Sequence, residues 1–260
     1  MRFILLISIF CFSIVFNSSS QRIKYKNVFP LLQSKDYKSA EPLLLKFLED
    51  NDDEANAYFY LGEIIGSKLD TVEIFPSTKK YDSMVNLAVE SYKKAIELVD
   101  DREVRKNDEY YIAYNRRDLR TGKFGIKTSD VHLDYENKIA AVSSRKELIH
   151  ELHQLKTEII SLYEEFKNDV KDFYSSYPDE SSFMLRANTD DREALSKILK
   201  SFNNFTSQYS TFADKVNALN HPLYQAELKF SAINKWNDLK PKEIDFSDFK
   251  INIQDYDTYL

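Results

Sequence analysis

His150 and His153 stand three residues apart in His150-Glu151-Leu152-His153, with a carboxylate between them. On a helix, residues three apart share a face, so the two imidazoles could hold one metal ion. The metalloprotease arrangement is different: its histidines are four apart, with glutamate directly after the first. Zinc needs three or four ligands, and this stretch supplies two. Leu152 falls on an apolar heptad position. The pair therefore reads first as two solvated histidines flanking a helical seam, and a metal-dependent hydrolase is the weakest of three functional readings.

Tyr110, Tyr111 and Tyr114 precede Arg116 and Arg117. Tyrosine and arginine together form binding hot spots, because they combine contact area with directed donors. The alternative is a capping helix that buries part of its tyrosines. Arg116, Arg117, Arg120 and Lys123 lie among Asp108, Glu109 and Asp118, and the chain carries a net charge of -6. That mixture argues against nucleic acid, which needs Lys and Arg concentrated on one face. Asn204-Phe205-Thr206 matches a glycosylation sequon, but Phe205 is a core heptad residue, so the match reads as chance. The sequence has no glycine-rich phosphate loop and no Gly-x-Ser-x-Gly. Asp50-Asn51-Asp52-Asp53 lacks the glycine and final glutamate of a calcium loop. No catalytic residue, metal site or cofactor is expected.

The elements that would carry these residues are helices. Apolar residues recur at three- and four-residue steps through Leu148, Leu152, Leu155, Ile159, Leu162, Phe166 and Phe173, with Val170 beside a gap at Asp169. A second run is Leu195, Ile198, Phe202, Phe205, Tyr209, Phe212, Val216 and Leu219. Two matched amphipathic stretches joined at Tyr177-Pro178 predict a long antiparallel coiled-coil hairpin over residues 131–220. Its first arm should start near Val131, capped by Ser129 or Asp130. Residues 119–130, with Gly122 and Gly125, read as a linker loop, and residues 101–118 as one more helix.

Residues 24–100 carry two imperfect copies of a shorter pattern. The first is Asp36-Tyr37, Ala40, Leu44 and Phe47. The second is Tyr58, Leu61-Gly62 and Ile65, followed after a loop with Pro76 by Ala88, Tyr92 and Ala95. These residues resemble the tetratricopeptide repeat, which pairs helices through small and aromatic residues at fixed spacings. Val28 stands where that family has glycine, Gly66 to Met84 is an insertion, and Asp50 and Asp100 stand where a proline often ends the repeat. The resemblance implies a groove that binds a protein or peptide, with Tyr58, Glu63 and Ile65 on its first helices. Pro42 fits this scheme if Ser39 caps its helix, which puts the proline in the first turn; otherwise it should bend the helix.

Residues 1–20 read as a secretory signal peptide. Arg2 precedes the apolar run Phe3–Phe16, then Asn17-Ser18-Ser19-Ser20, with cleavage before Gln21. The run is shorter than a membrane span needs. Cys11, the single cysteine, would leave with it. An exported chain without disulfides must rely on core packing, which fits a bacterial envelope, periplasmic or secreted protein. After Leu219, Asn220-His221-Pro222 breaks the second arm. Residues 223–239 are expected as a short helix through Leu228, Ala232 and Trp236. Phe249, Ile251 and Ile253 alternate with polar residues as a strand. No partner strand is evident nearby, so this tail is expected to lie loosely or to add to another protein's sheet.

The expected fold class is all-α: tetratricopeptide-like repeats over 21–118, the linker over 119–130, the hairpin over 131–220 and a C-terminal helix and extended tail over 221–260. The leading functional expectation is an exported, non-catalytic protein-interaction scaffold or adaptor. The alternative is a structural coiled-coil spacer or oligomerisation element.

Overall fold

The computed structural model describes residues 22–120 and 122–259. The stretch read as a signal peptide lies outside them. The chain is mostly helical, as expected for an all-α protein, with two small two-stranded sheets.

Four helices open the fold: α1 (Tyr25–Gln33), α2 (Tyr37–Asp50), α3 (Ala55–Lys68) and α4 (Lys79–Leu98). Lys35, at φ 58°, turns the chain between α1 and α2. Asp36 then caps α2 by accepting the Ser39 N–H at 3.3 Å. The helix thus begins at Tyr37 rather than near Ser39, and Pro42 lies beyond its first turn. There the proline deprives the Lys38 carbonyl of its helical donor. Helices α1 to α3 bury Val28, Leu32, Ala40, Leu44, Ala57 and Ile64 in one small core.

Helices α3 and α4 approach closely because Gly62 has no side chain. A Cβ there would lie 2.6 Å from Cε1 of Tyr92. Ala88 and Ala95 on α4 are wholly buried in the same core. Between the two helices, the expected loop is shorter than residues 66–84. A 3-10 turn at Leu69–Thr71 follows α3, and Val72, Ile74 and Phe75 are buried in the core of the second half of the molecule.

Residues 101–118 do not form one helix. α5 (Asp101–Lys106) is followed by 3-10 turns at Asp108–Tyr110 and Ile112–Tyr114 and by β1 (Arg116–Arg117). Asp100 caps α5, accepting from the Arg102 and Glu103 N–H groups at 2.9 and 2.7 Å. The expected linker is instead a hairpin end: β1 pairs antiparallel with β2 (Phe124–Gly125), Arg116 opposite Gly125 and Arg117 opposite Phe124.

α6 (Thr128–Ser176) is one helix of 49 residues, about 73 Å long at 1.5 Å per residue. It starts at Thr128, three residues before Val131, after Lys127, which makes no side-chain cap. Ser129 and Asp130 lie inside its first turn, where Asp130 still suits the helix dipole. Its first part runs along α4: His132 Nε2 meets the Val99 carbonyl at 2.9 Å, and Lys146 Nζ meets Asn86 Oδ1 at 3.2 Å. Its second part packs on α8 (Thr189–Leu219) in the opposite direction. Tyr163 meets Phe205 and Phe166 meets Phe202 with ring centroids 5.2 and 5.6 Å apart, and Lys197 pairs with Asp169 at 2.6 Å. The short α7 (Glu180–Arg186) turns the corner, and Asn188 with Asp191 forms a capping box that starts α8.

The C-terminal residues depart most from expectation. Residues 223–239 hold no α-helix: β3 (Glu227–Ala232) is followed by a 3-10 turn at Trp236–Leu239. β4 (Lys250–Asp255) forms where alternation predicted a strand, but it pairs in parallel with β3, Leu228 opposite Ile251 and Phe230 opposite Ile253. The strand partner is thus internal, and the tail does not lie loose. Phe249, Ile251, Ile253 and Tyr256 are buried against α6 and α8. Trp236 Nε1 donates to the Tyr177 carbonyl at 2.9 Å, and the Tyr209 hydroxyl donates to the Phe249 carbonyl. Lys242 and Phe246 of this strap meet Tyr163, which is buried, as is Ile149, while Leu148, Leu155 and Leu162 are only partly buried. The helix serves two neighbours, so its apolar face is wider than a two-stranded seam requires. Among the described residues no helix is long and apolar enough to cross a membrane.

Candidate functional site

The aromatic residues singled out in the sequence converge on the junction of α1, α3, α5 and α6. Tyr25 donates its hydroxyl to Asn56 Oδ1 at 2.6 Å, and Asn56 Nδ2 donates to the Tyr110 carbonyl at 3.4 Å. The Tyr110 ring stands edge-on to Tyr25 at 4.9 Å and lies 4.7 Å from Phe29. Tyr111 is completely buried and its hydroxyl donates to Glu103 Oε1 at 3.3 Å. Tyr114 is half-buried and donates to Asp134 Oδ2 on α6 at 2.7 Å. All three tyrosines are therefore spent on holding the 3-10 turns to the helices. Burial raises the phenols of Tyr111 and Tyr114, helped by carboxylate neighbours, so both stay protonated donors. Burial and the nearby Glu109 push Tyr110 up to about 12.

The residues expected on the groove divide. Glu63 is tied down: it accepts the Tyr92 hydroxyl at 2.7 Å and pairs with Lys138 of α6 at 2.9 Å. Phe59 stacks on Tyr135 of α6 at 4.4 Å and 15°. The start of α6 thus covers this side of α3. Tyr58 and Ile65 are half-buried against the same core. Arg116 and Arg117 are exposed on β1, and Arg117 Nε donates to the Gly122 carbonyl at 3.2 Å.

One group that sequence reasoning missed is a carboxylate pair. Glu103 Oε1 accepts from Asn107 Nδ2 at 2.9 Å, and the same amide reaches Glu54 Oε1 at 3.5 Å. Burial first, and then the neighbouring Glu103, pushes the Glu54 carboxyl up to about 7. Like charges held close disfavour double ionisation, so this pair can hold a proton near neutral pH. Glu54 and Glu103 are 49 positions apart in the sequence, and no local spacing signals their meeting.

The histidine pair does not converge. His150 Nε2 lies 2.8 Å from Asp82 Oδ1 on α4, whereas His153 Nε2 lies 2.7 Å from the Ile74 carbonyl. Both rings tie α6 to the segment between Ile74 and Asp82. Among the described residues no group of three or more His, Cys, Asp or Glu side chains is arranged to hold a metal ion.

Comparison of the chain with protein-family models, with curated proteins and with solved structures gives no match. The residues themselves therefore carry the functional argument.

Proposed function

We propose that this protein is an exported, non-catalytic scaffold or adaptor of the cell envelope, built on tetratricopeptide-like helix pairs and a coiled-coil-like helical hairpin. The observation that carries the reading is the contact between Gly62 and Tyr92. A glycine on the first helix admits an aromatic ring from the second, which is the use of small residues that the repeat resemblance implies. The 1–20 segment supports export. Glu63 is engaged within the fold, so the partner-binding positions on this face reduce to Tyr58 and Ile65, with Arg116 and Arg117 on the separate hairpin. The partner is a protein or peptide.

The length of α6 favours a second reading, a spacer that sets distance between its ends. Crosslinking in native envelopes, followed by mass spectrometry, separates the two. Intermolecular crosslinks on Lys26, Lys38 and Lys93 of the helix pairs support the adaptor. Crosslinks between copies of this chain along residues 150–215 support the spacer or an oligomer. An intact Met1 in the native protein would overturn cleavage of residues 1–20.

A further inference from the structure

The β1–β2 hairpin brings exposed apolar and cationic side chains together. At its end Leu119 is 100% exposed and Phe124 is 71% exposed. Arg116 and Arg117 are exposed on β1, Arg120 is exposed next to Leu119, and a Cβ on Gly125 would meet nothing within 4 Å. Other large apolar side chains are also exposed, Leu185 and Met184 among them, but on this finger the two stand beside arginines.

The finger itself is basic, although the segments around it are of mixed charge. Residues 116–127 contain five Lys and Arg against one Asp, in a chain with a net charge of -6. Asp118, that one acid, pairs with Lys127 at 3.0 Å. The finger is thus a local positive field on an acidic molecule, with apolar side chains at its end.

We infer that the hairpin docks this protein on an anionic lipid surface, with Leu119 and Phe124 entering the interface and Arg116, Arg117 and Arg120 at the headgroup phosphates. One feature favours lipid over a protein partner. A bilayer accepts any apolar wedge flanked by cations, because arginine stems can lie along the apolar boundary while their heads stay at the phosphates. The inference leaves Tyr58 and Ile65 to the scaffold reading and assigns Arg116 and Arg117 to lipid instead of the protein partner.

The test uses the chain from residue 21 onward, which contains every core residue described above and lacks the apolar 3–16 run. Flotation with phosphatidylglycerol-rich vesicles is compared with flotation on phosphatidylcholine alone. Binding is expected only to the anionic vesicles. Arg116→Gln or Arg120→Gln should each weaken partitioning roughly five-fold, and raised salt should weaken it further. Leu119→Ser with Phe124→Ser should weaken it more than about ten-fold. Far-UV circular dichroism checks that each variant remains folded. Leu119→Trp supplies a second readout: its emission should shift to the blue on adding anionic vesicles, against the constant background of buried Trp236. The proposal is overturned if the protein does not float, if the Leu119→Ser/Phe124→Ser variant floats as well as the parent, or if the introduced tryptophan stays solvated. It is equally overturned if hairpin variants lose a protein partner while no vesicle binding exists.

Discussion

Replacing Gly62 by alanine and Gly66 by alanine should move stability in opposite directions, although both glycines lie one turn apart on α3. Alanine is the better helix former by about 1 kcal/mol. At Gly66 that gain is open, because an added Cβ finds only the Tyr92 hydroxyl at 3.7 Å. Its position in the last turn of the helix limits the benefit to about 0.5 kcal/mol. At Gly62 the same methyl would sit 2.6 to 2.8 Å from three ring carbons of Tyr92. That ring cannot swing aside cheaply: Tyr92 is 2% exposed and its hydroxyl is held by Glu63 at 2.7 Å. Overpacking of this kind costs about 1–3 kcal/mol. Set against the propensity gain, Gly62→Ala should lose up to about 2 kcal/mol. Urea denaturation followed at 222 nm measures both variants, and Gly62→Ala with Tyr92→Leu should recover part of the loss. If Gly62→Ala proves as stable as Gly66→Ala, the close approach of α3 and α4 is wrong, and the main support for paired repeats goes with it.

The Glu54–Glu103 pair predicts a pH effect. A carboxyl raised from 4.5 to about 7 on folding takes up its proton in the folded state first, so stability is gained as pH falls through 7 and is complete below 4.5. Fully dry, the shift would be worth about 3 kcal/mol; solvent reaches Glu54, and screening leaves about 1–2 kcal/mol. Denaturation midpoints at pH 8 and pH 5 should therefore move apart less in Glu54→Gln than in the parent, and equal movement refutes the assignment. Phe205→Asp should cost about 4 kcal/mol or more, because it buries a charge where Phe205 is fully enclosed. His150→Ala loses only a half-exposed contact with Asp82 and should cost under about 1 kcal/mol; equal melting temperatures would mean the α6–α8 register is wrong. Hydrogen exchange should find amides of β4 near Ile251 and Ile253 protected in the isolated protein, and fast exchange there would contradict the β3–β4 pairing.

Where burial followed a local period, the sequence was readable. Ile198, Phe202, Phe205, Tyr209, Phe212, Val216 and Leu219 are all buried on α8, as their three- and four-residue steps require. Where two periods competed, it misled. Leu228, Ala232 and Trp236 have helical spacing, but Leu228, Phe230 and Ala232 also alternate with Glu227, Lys229 and Ser231. The strand pattern prevails because β4 offers a ladder and α8 offers a surface. Residues 101–118 were opaque for another reason. Tyr110, Tyr111 and Tyr114 satisfy contacts with Asn56, Glu103 and Asp134, and the distant partners Asn56 and Asp134 break the helix that local propensity favours. The Glu54–Glu103 pair was invisible for the same reason.

The unbroken course of α6 makes its residue count a fixed phase between the two halves of the molecule. Val131 and Tyr135 at one end belong to the core of α3 and α4, while Tyr163, Phe166 and Phe173 belong to the core shared with α8 and the strap. Each residue of a helix advances 1.5 Å and turns about 100°. One residue added near Ser143 would therefore rotate one set of anchors a quarter-turn away from its core, whereas four residues would nearly restore the angle and change mainly the separation. Evolution can lengthen this protein only in steps of about a helical turn, and within each step the two ends are geared to one another like teeth on a single shaft.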